Sequence, residues 1–377
     1  MTDQTSSQRR SLAPFVKILG TGPARSRSLT REEAAEAMEI ILSGRAEPEA
    51  VGGLLMLMRY RGENADEIAG FVDAMRSRMS GWSDVEADLD WPSYAAGRSR
   101  GAPWFLLAVK LVAQAGIRVF LHGWNSHQNP IADVRSALEQ LQIPVARTPG
   151  AAQQALVSHH VAYVPLEDID AASLDVLRLR DKLGLRSAMN TAVRACDPTG
   201  ALHSVQAVFH PPYLTLQRDS GAKLGMKALT VIKGGGGEFE RHPGKSVRLL
   251  RIVSGDSVEE EAPALIDFPK RLSDLPSGTN GLAGFWAGEW SNDEAERAVV
   301  GTAALGLLTV GRCESLEAAQ SMARYLWESR GERDAWSQAA LVGSTGVGSS
   351  GVGPTDTSAT GVGAADVSAN GGVGADT

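Results

Sequence analysis

Residues 28–79 read SLTREEAAEAMEIILSGRAEPEAVGGLLMLMRYRGENADEIAGFVDAMRSRM, three short helical patterns with start and stop signals. Thr30 is a helix N-cap, and Glu33, three residues on, completes a capping box in which side chains and backbone N–H groups satisfy each other. Ala34, Ala37, Met38 and Ile41 then recur at helical spacing. Gly44 closes this helix. Pro48 opens the next, whose apolar run is Val51, Leu54, Leu55 and Met58. Gly62 stops it, and Asn64 with Glu67 starts a third. The expected product is a small helical bundle whose first task is packing.

On the N-terminal side, residues 1–28 carry five basic residues and one acid and read as an irregular basic arm. The helical domain is expected over 29–85. From about Asp88 the pattern changes. Phe105 to Ala115 reads as a helix, Ile117 to Gly123 (IRVFLHG) as a buried parallel strand, and 132–141 as a helix. Strand segments follow near IPVAR (143–147) and VAYVPL (161–166), then AVFHPPY (207–213) and ALTVIKGGGG (228–237). Helix returns over Asp293 to Arg330. This alternation predicts an α/β domain over 86–342 with a mostly parallel sheet. The tail, 343–377, repeats GVG at Gly346, Gly351, Gly361 and Gly372 and has no Lys, Arg or aromatic residue, so disorder is expected.

A chain of 377 residues that is 43% hydrophobic can bury a substantial core. No apolar run is long enough to span a membrane, no secretory signal is evident, and Cys196 and Cys313 form no disulfide or zinc spacing. A reducing, cytoplasmic setting is expected. The net charge of −7 hides an asymmetry: Arg178 to Arg251 holds thirteen Lys or Arg against five Asp or Glu, a local +8 that leaves −15 elsewhere. Such a centre can attract a polyanion.

The 28–79 pattern closely resembles the all-helical N-terminal domain of glycosyltransferase family 3, the anthranilate and nucleoside phosphoribosyltransferases. The resemblance extends over about Ser28 to Glu328. It implies a small all-helical N-terminal domain plus a larger α/β domain with a mostly parallel sheet, of the nucleoside phosphorylase/phosphoribosyltransferase kind, dimerising through the helices. In that family a Gly-Thr-Gly-Gly-Asp loop grips the pyrophosphate of phosphoribosyl pyrophosphate. Here GRSRGAPW (Gly97 to Trp104) stands in its place, with Arg98 and Arg100 beside flexible backbone, a pairing suited to a phosphodiester or to a solvated turn before Pro103. The family's Lys-His-Gly-Asn-Arg loop becomes Leu121, His122, Gly123, Trp124 and Asn125. Both cations are lost. His122 is a candidate catalytic residue or a structural histidine, and Trp124 and Asn125 are candidate acceptor contacts, with Trp124 also readable as a core plug.

Leu177 to Arg194 resembles the family's R-x-x-L-G-x-R-T-x-F-N segment. Arg180 and Arg186 fall on its arginines and Asn190 on its Asn, which makes Asn190 a second catalytic candidate. Arg186 falls on the arginine that contacts the acceptor carboxylate. Arg178, Lys182 and Arg194 add charge, so Arg98, Arg100, Arg178, Arg180, Lys182, Arg186 and Arg194 form the candidate nucleic-acid or phosphate-binding set. At Val231 to Lys245 the family's magnesium-binding Gly-x-Asp-Glu motif is reduced to Glu238 and Glu240 on a Gly-rich loop, the metal-ligand candidates. Together these departures resemble a divergent subfamily of anthranilate phosphoribosyltransferase homologues. That likeness implies a dimer binding single- or double-stranded nucleic acid with little sequence preference. The alternative is a transferase using phosphoribosyl pyrophosphate with Mg2+ and an altered acceptor, and a protein-binding scaffold is a third reading.

Overall fold

The computed structural model describes residues 11–94, 101–124, 133–267 and 280–332. Four helices open the chain: α1 (Ala13–Gly20), α2 (Arg31–Leu42), α3 (Pro48–Arg61) and α4 (Ala65–Arg78). Both predicted capping boxes are present, Thr30 with Glu33 and Asn64 with Glu67. Glu67 is itself buried, and its carboxylate also accepts the Leu29 N–H at 2.9 Å, tying the entry of α2 to α4. The two helices cross closely at Gly70, where a Cβ would lie 2.2 Å from the Arg31 carbonyl oxygen. Arg31 and Asp73 clamp the same crossing with hydrogen bonds of 2.6 and 2.8 Å.

Part of the expected irregular arm is ordered instead. Pro14 sits in the first turn of α1, and Leu12, Phe15 and Leu19, at helical spacing, are buried in the bundle core. That apolar triplet, not the basic residues around it, decides the conformation.

The α/β part contains β1 (Leu89–Ser93), α5 (Phe105–Gln114), β2 (Val119–Gly123), α6 (Val134–Gln140), α7 (Pro149–His159), β3 (Val161–Pro165), α8 (Leu166–Ile169), α9 (Ala171–Arg178), α10 (Arg180–Leu183) and α11 (Met189–Ala192). It continues with β4 (His203–Val208), α12 (Tyr213–Lys223), β5 (Ala228–Lys233), β6 (Val247–Val253), β7 (Asp256–Ala262), α13 (Gly281–Ala287), α14 (Asp293–Thr309) and α15 (Leu316–Glu328). One seven-stranded sheet runs in the order β3-β2-β1-β4-β5-β6-β7. The first five strands in that order are parallel, and β6 and β7 form an antiparallel hairpin at one edge. The predicted 143–147 strand reduces to a single bridge between Val145 and Tyr163. The 207–213 strand stops at Val208, because Pro211 and Pro212 cannot donate to a ladder.

Alternation along the strands separates two cores. Leu89 and Trp91 of β1 face α5, α14 and α15, whereas Phe120 of β2 faces the helical bundle with α7, α9 and α11. The strand order reverses between β1 and β4, and ligand crevices in such sheets open beyond the carboxyl ends of the strands at that reversal. Residues 95–100 and 125–132, which follow β1 and β2, lie outside the described residues, as does the tail.

Candidate functional site

A pocket of about 340 Å3 opens beyond the end of β4, where the helical bundle meets the sheet. Its lining combines Arg59 of α3, Arg180 of α10, Arg186, Asn190 and Thr191 around α11, Phe209 and His210 after β4, and Tyr213 and Gln217 of α12. Gly184 makes the turn possible. It caps α10 in the left-handed conformation (φ 70°), donating its N–H to the Arg180 carbonyl, and directs Leu185 and Arg186 into the pocket wall. The Ser187 N–H donates to Asn190 Oδ1 at 3.1 Å. That bond fixes the amide orientation, since only the oxygen can accept, and leaves the buried Asn190 Nδ2 without an acceptor among the described residues.

The charge is strongly one-sided. Four arginines (Arg59, Arg180, Arg186, Arg194) and one carboxylate (Asp181) line the pocket. Partial burial, and then the positive charges of Arg180 and Arg59, hold the Arg186 guanidinium below its ordinary pKa. Its Cζ lies over the Phe209 ring, 5.5 Å from the ring centroid, and His210 packs edge-on against the same ring at 4.7 Å. Arg59 donates to the Tyr213 hydroxyl, which in turn lies 3.5 Å from the Glu63 carboxylate. Arg194 is buried, donates to the Asn190 carbonyl and to the Tyr94 carbonyl at 2.5 Å, and is pushed by burial down to about 10 while Glu238 opposes the shift. Such a pocket can hold an anion, and its aromatic rim can hold a flat ring beside that anion.

A buried polar chain runs inward from the pocket floor. Gln217 donates to the Thr191 carbonyl at 3.3 Å and to Gln206 at 2.7 Å, Gln206 to Ser204 at 3.1 Å, and Ser204 to Asp90 at 2.7 Å. His122 closes it, with Nε2 3.0 Å from Asp90 and Nδ1 2.8 Å from the Tyr94 hydroxyl. His122, a catalytic candidate, has no solvent exposure and does not line the pocket. Asn190, the other catalytic candidate, does line it.

Arg180, Arg186, Asn190 and Arg194 therefore converge. Arg178 and Lys182 are exposed on the α9–α10 face and lie outside the pocket lining. Neither has an ion-pair partner among the described residues. Trp124 packs half-buried against the bundle core and is not among the residues lining the pocket. Arg98, Arg100 and Asn125 lie outside the described residues. The +8 stretch does not form one patch. Arg248 and Arg251 pair across the hairpin with Glu259 and Glu260, Lys223 pairs with Asp66, and Arg241 is buried against the Pro263 carbonyl. Sequence reasoning missed Arg59, Phe209, His210 and Tyr213. The position of Phe209 and His210 directly after a parallel strand was the available signal for those two.

The glutamates do not suit magnesium. Glu238 is buried and accepts the Ser93 hydroxyl at 3.1 Å, and Glu240 is buried and accepts the Phe105 N–H at 3.0 Å. Arg194 already supplies positive charge next to Glu238. Among the described residues no group of three or more His, Cys, Asp or Glu could hold a metal ion. No described helix is long and apolar enough to cross a membrane.

Residues 14–79 match the glycosyl transferase family helical bundle domain. The anthranilate phosphoribosyltransferase of Rhizobium meliloti (strain 1021) is 27% identical over 336 residues, covering 88% of this chain and 98% of the relative. That of Bacillus caldotenax is 31% identical over 225 residues, 58% of this chain and 90% of the relative. The crystal structure of anthranilate phosphoribosyltransferase from Thermus thermophilus superposes with a TM-score of 0.71 at 25% identity, covering 87% of this chain and 98% of that one. The Saccharomyces cerevisiae enzyme in complex with PRPP and Mg shares the fold at a TM-score of 0.65 and 13% identity, over 88% and 97% of the two chains. With a helical bundle of that family, a reversed parallel sheet beside it and relatives aligned over nearly their whole length, the chain belongs to the anthranilate phosphoribosyltransferase family.

Proposed function

We propose that this family member binds the phosphodiester backbone of nucleic acid without reading its sequence, as a homodimer joined through the helical bundle. The observation that carries the reading is the arrangement of cations at one place. Arg178 and Lys182 stand exposed and unpaired among the described residues, beside a pocket holding Arg59, Arg180 and Arg186. Exposed unpaired cations next to clustered guanidiniums favour a polyanion, because each phosphate neutralised releases a condensed counterion. In a two-fold dimer the face occurs twice, which lengthens the track available to a strand. The cost to transferase chemistry supports the same reading, since the acids that would serve the metal are engaged in the protein's own hydrogen bonds.

One observation favours a second reading, phosphoribosyl transfer to an aromatic acid. Arg186 and Asn190 line a pocket that could seat an aromatic carboxylate. Two measurements separate the readings. Anisotropy of a labelled single-stranded oligonucleotide should show binding that loses about 50-fold between ~50 and ~200 mM salt if four phosphates are neutralised. Calorimetry with phosphoribosyl pyrophosphate and Mg2+ should show no saturable heat. Absence of oligonucleotide binding at low salt, together with saturable diphosphate binding, would reverse the assignment.

A further inference from the structure

The pocket has features that a backbone-binding surface alone does not need. Phe209 is 40% exposed at its mouth, and Arg186 and His210 pack on it and hold the ring in place. An aromatic ring presented to solvent and steadied on other sides is a stacking platform. Inside, Asn190 is 6% exposed and its Nδ2 donor has no acceptor among the described residues, while its Oδ1 is committed to Ser187. A buried donor left unmade costs about 1–3 kcal/mol and marks where a ligand acceptor belongs. The volume, about 340 Å3, lies at the small end of the ~300–1,000 Å3 range of ligand pockets and matches one ring with its attached phosphate.

We infer that this pocket takes one unstacked nucleotide of single-stranded nucleic acid. Its base lies against Phe209, Asn190 Nδ2 donates to an acceptor on the base or sugar, and the adjoining phosphate meets Arg59, Arg180 and Arg186. The inference rests on the nucleic-acid reading above. Every base has a π face and at least one acceptor, so the pocket adds strand selectivity without sequence selectivity. A paired, stacked base exposes only its edges in the grooves and cannot enter, so single strands are preferred over duplexes.

The test compares a labelled single-stranded 20-mer with its duplex by anisotropy at one salt concentration, for the wild type and for Phe209→Ala. Wild type should bind the single strand at least tenfold more tightly. Phe209→Ala should weaken single-strand binding roughly five- to hundredfold, the range for loss of one base–aromatic stack, and leave duplex binding within twofold. Phe209→Leu keeps the apolar volume without the ring and should show the same selective loss, which separates stacking from misfolding. Equal binding of strand and duplex, unchanged by either variant, overturns the nucleotide pocket and leaves backbone binding standing. No binding of either form at low salt overturns the underlying reading as well.

Discussion

Reversing two charges, Arg178→Glu with Lys182→Glu, is expected to weaken nucleic-acid binding about 30-fold at 0.1 M salt. Both side chains are exposed and unpaired among the described residues, so their replacement removes no ion pair and costs the fold within about ±0.5 kcal/mol. If each neutralises one phosphate of a single strand, each contributes about 0.7 to the salt slope, and counterion release at 0.1 M is then worth about 1 kcal/mol per contact. Two lost contacts amount to about 2 kcal/mol, or about 30-fold in affinity. New repulsion from the introduced carboxylates makes that a lower bound. Anisotropy at four salt concentrations should show the slope shallower by about 1.4, and the same loss for oligonucleotides of unrelated sequence. An affinity loss with the slope unchanged would refute counterion release as its source. An unchanged affinity would remove the α9–α10 face from the interface altogether.

Three further outcomes follow from the geometry. Gly70→Ala forces a Cβ to within 2.2 Å of the Arg31 carbonyl oxygen, so it should destabilise the chain by about 1–3 kcal/mol or more, read from denaturant unfolding; a neutral result would mean that α2 and α4 separate easily. Burial, and then the Asp90 charge, push the Asp197 carboxyl up to about 8 despite Arg76 at 3.8 Å. Its native pKa exceeds its unfolded one, so between about pH 4 and 8 the native state binds more protons and stability should fall as pH rises, by up to about 1.4 kcal/mol per pH unit. Asp197→Asn should flatten that fall in urea melts at pH 5 to 8, and an identical pH profile for both proteins would show that Asp197 ionises freely. Titration with MgCl2 alone should give no saturable heat below about 1 mM, whereas a saturable site would mean that Glu238 and Glu240 can release their internal partners.

How much was legible depended on whether a signal was local. The two capping boxes and the stops at Gly44 and Gly62 are read within a few residues, and the helices they bound formed as expected. The strand β1 was not seen, because Trp91-Pro92 breaks strand propensity. It survives at a fully buried position in the sheet, paired with β2 along all five residues and with β4 at Leu89 and Asp90. The pocket illustrates the opposite limit. Arg180, Arg186 and Asn190 were legible as one motif. Arg59, about 120 residues earlier on another helix, joins them only through the docking of the bundle on the sheet. The same non-locality dissolved the +8 stretch, since Glu259 and Glu260 reach Arg248 and Arg251 only across the β6–β7 hairpin.

Arg194 links Glu238 to the positively charged pocket wall. Here both ends of its guanidinium are received by backbone carbonyls, Asn190 in the pocket wall and Tyr94 at the end of β1. Burial disfavours its charge and Glu238 favours it. A divalent ion brought to Glu238 would face that fixed guanidinium in a low-dielectric site, where like charges repel far more than in water. The same residue therefore opposes metal binding at Glu238 and adds a permanent positive charge to the pocket wall. On this geometry Arg194 acts on Glu238 and on the pocket wall at once, while Arg59, Arg180 and Arg186 supply the rest of the pocket's positive charge.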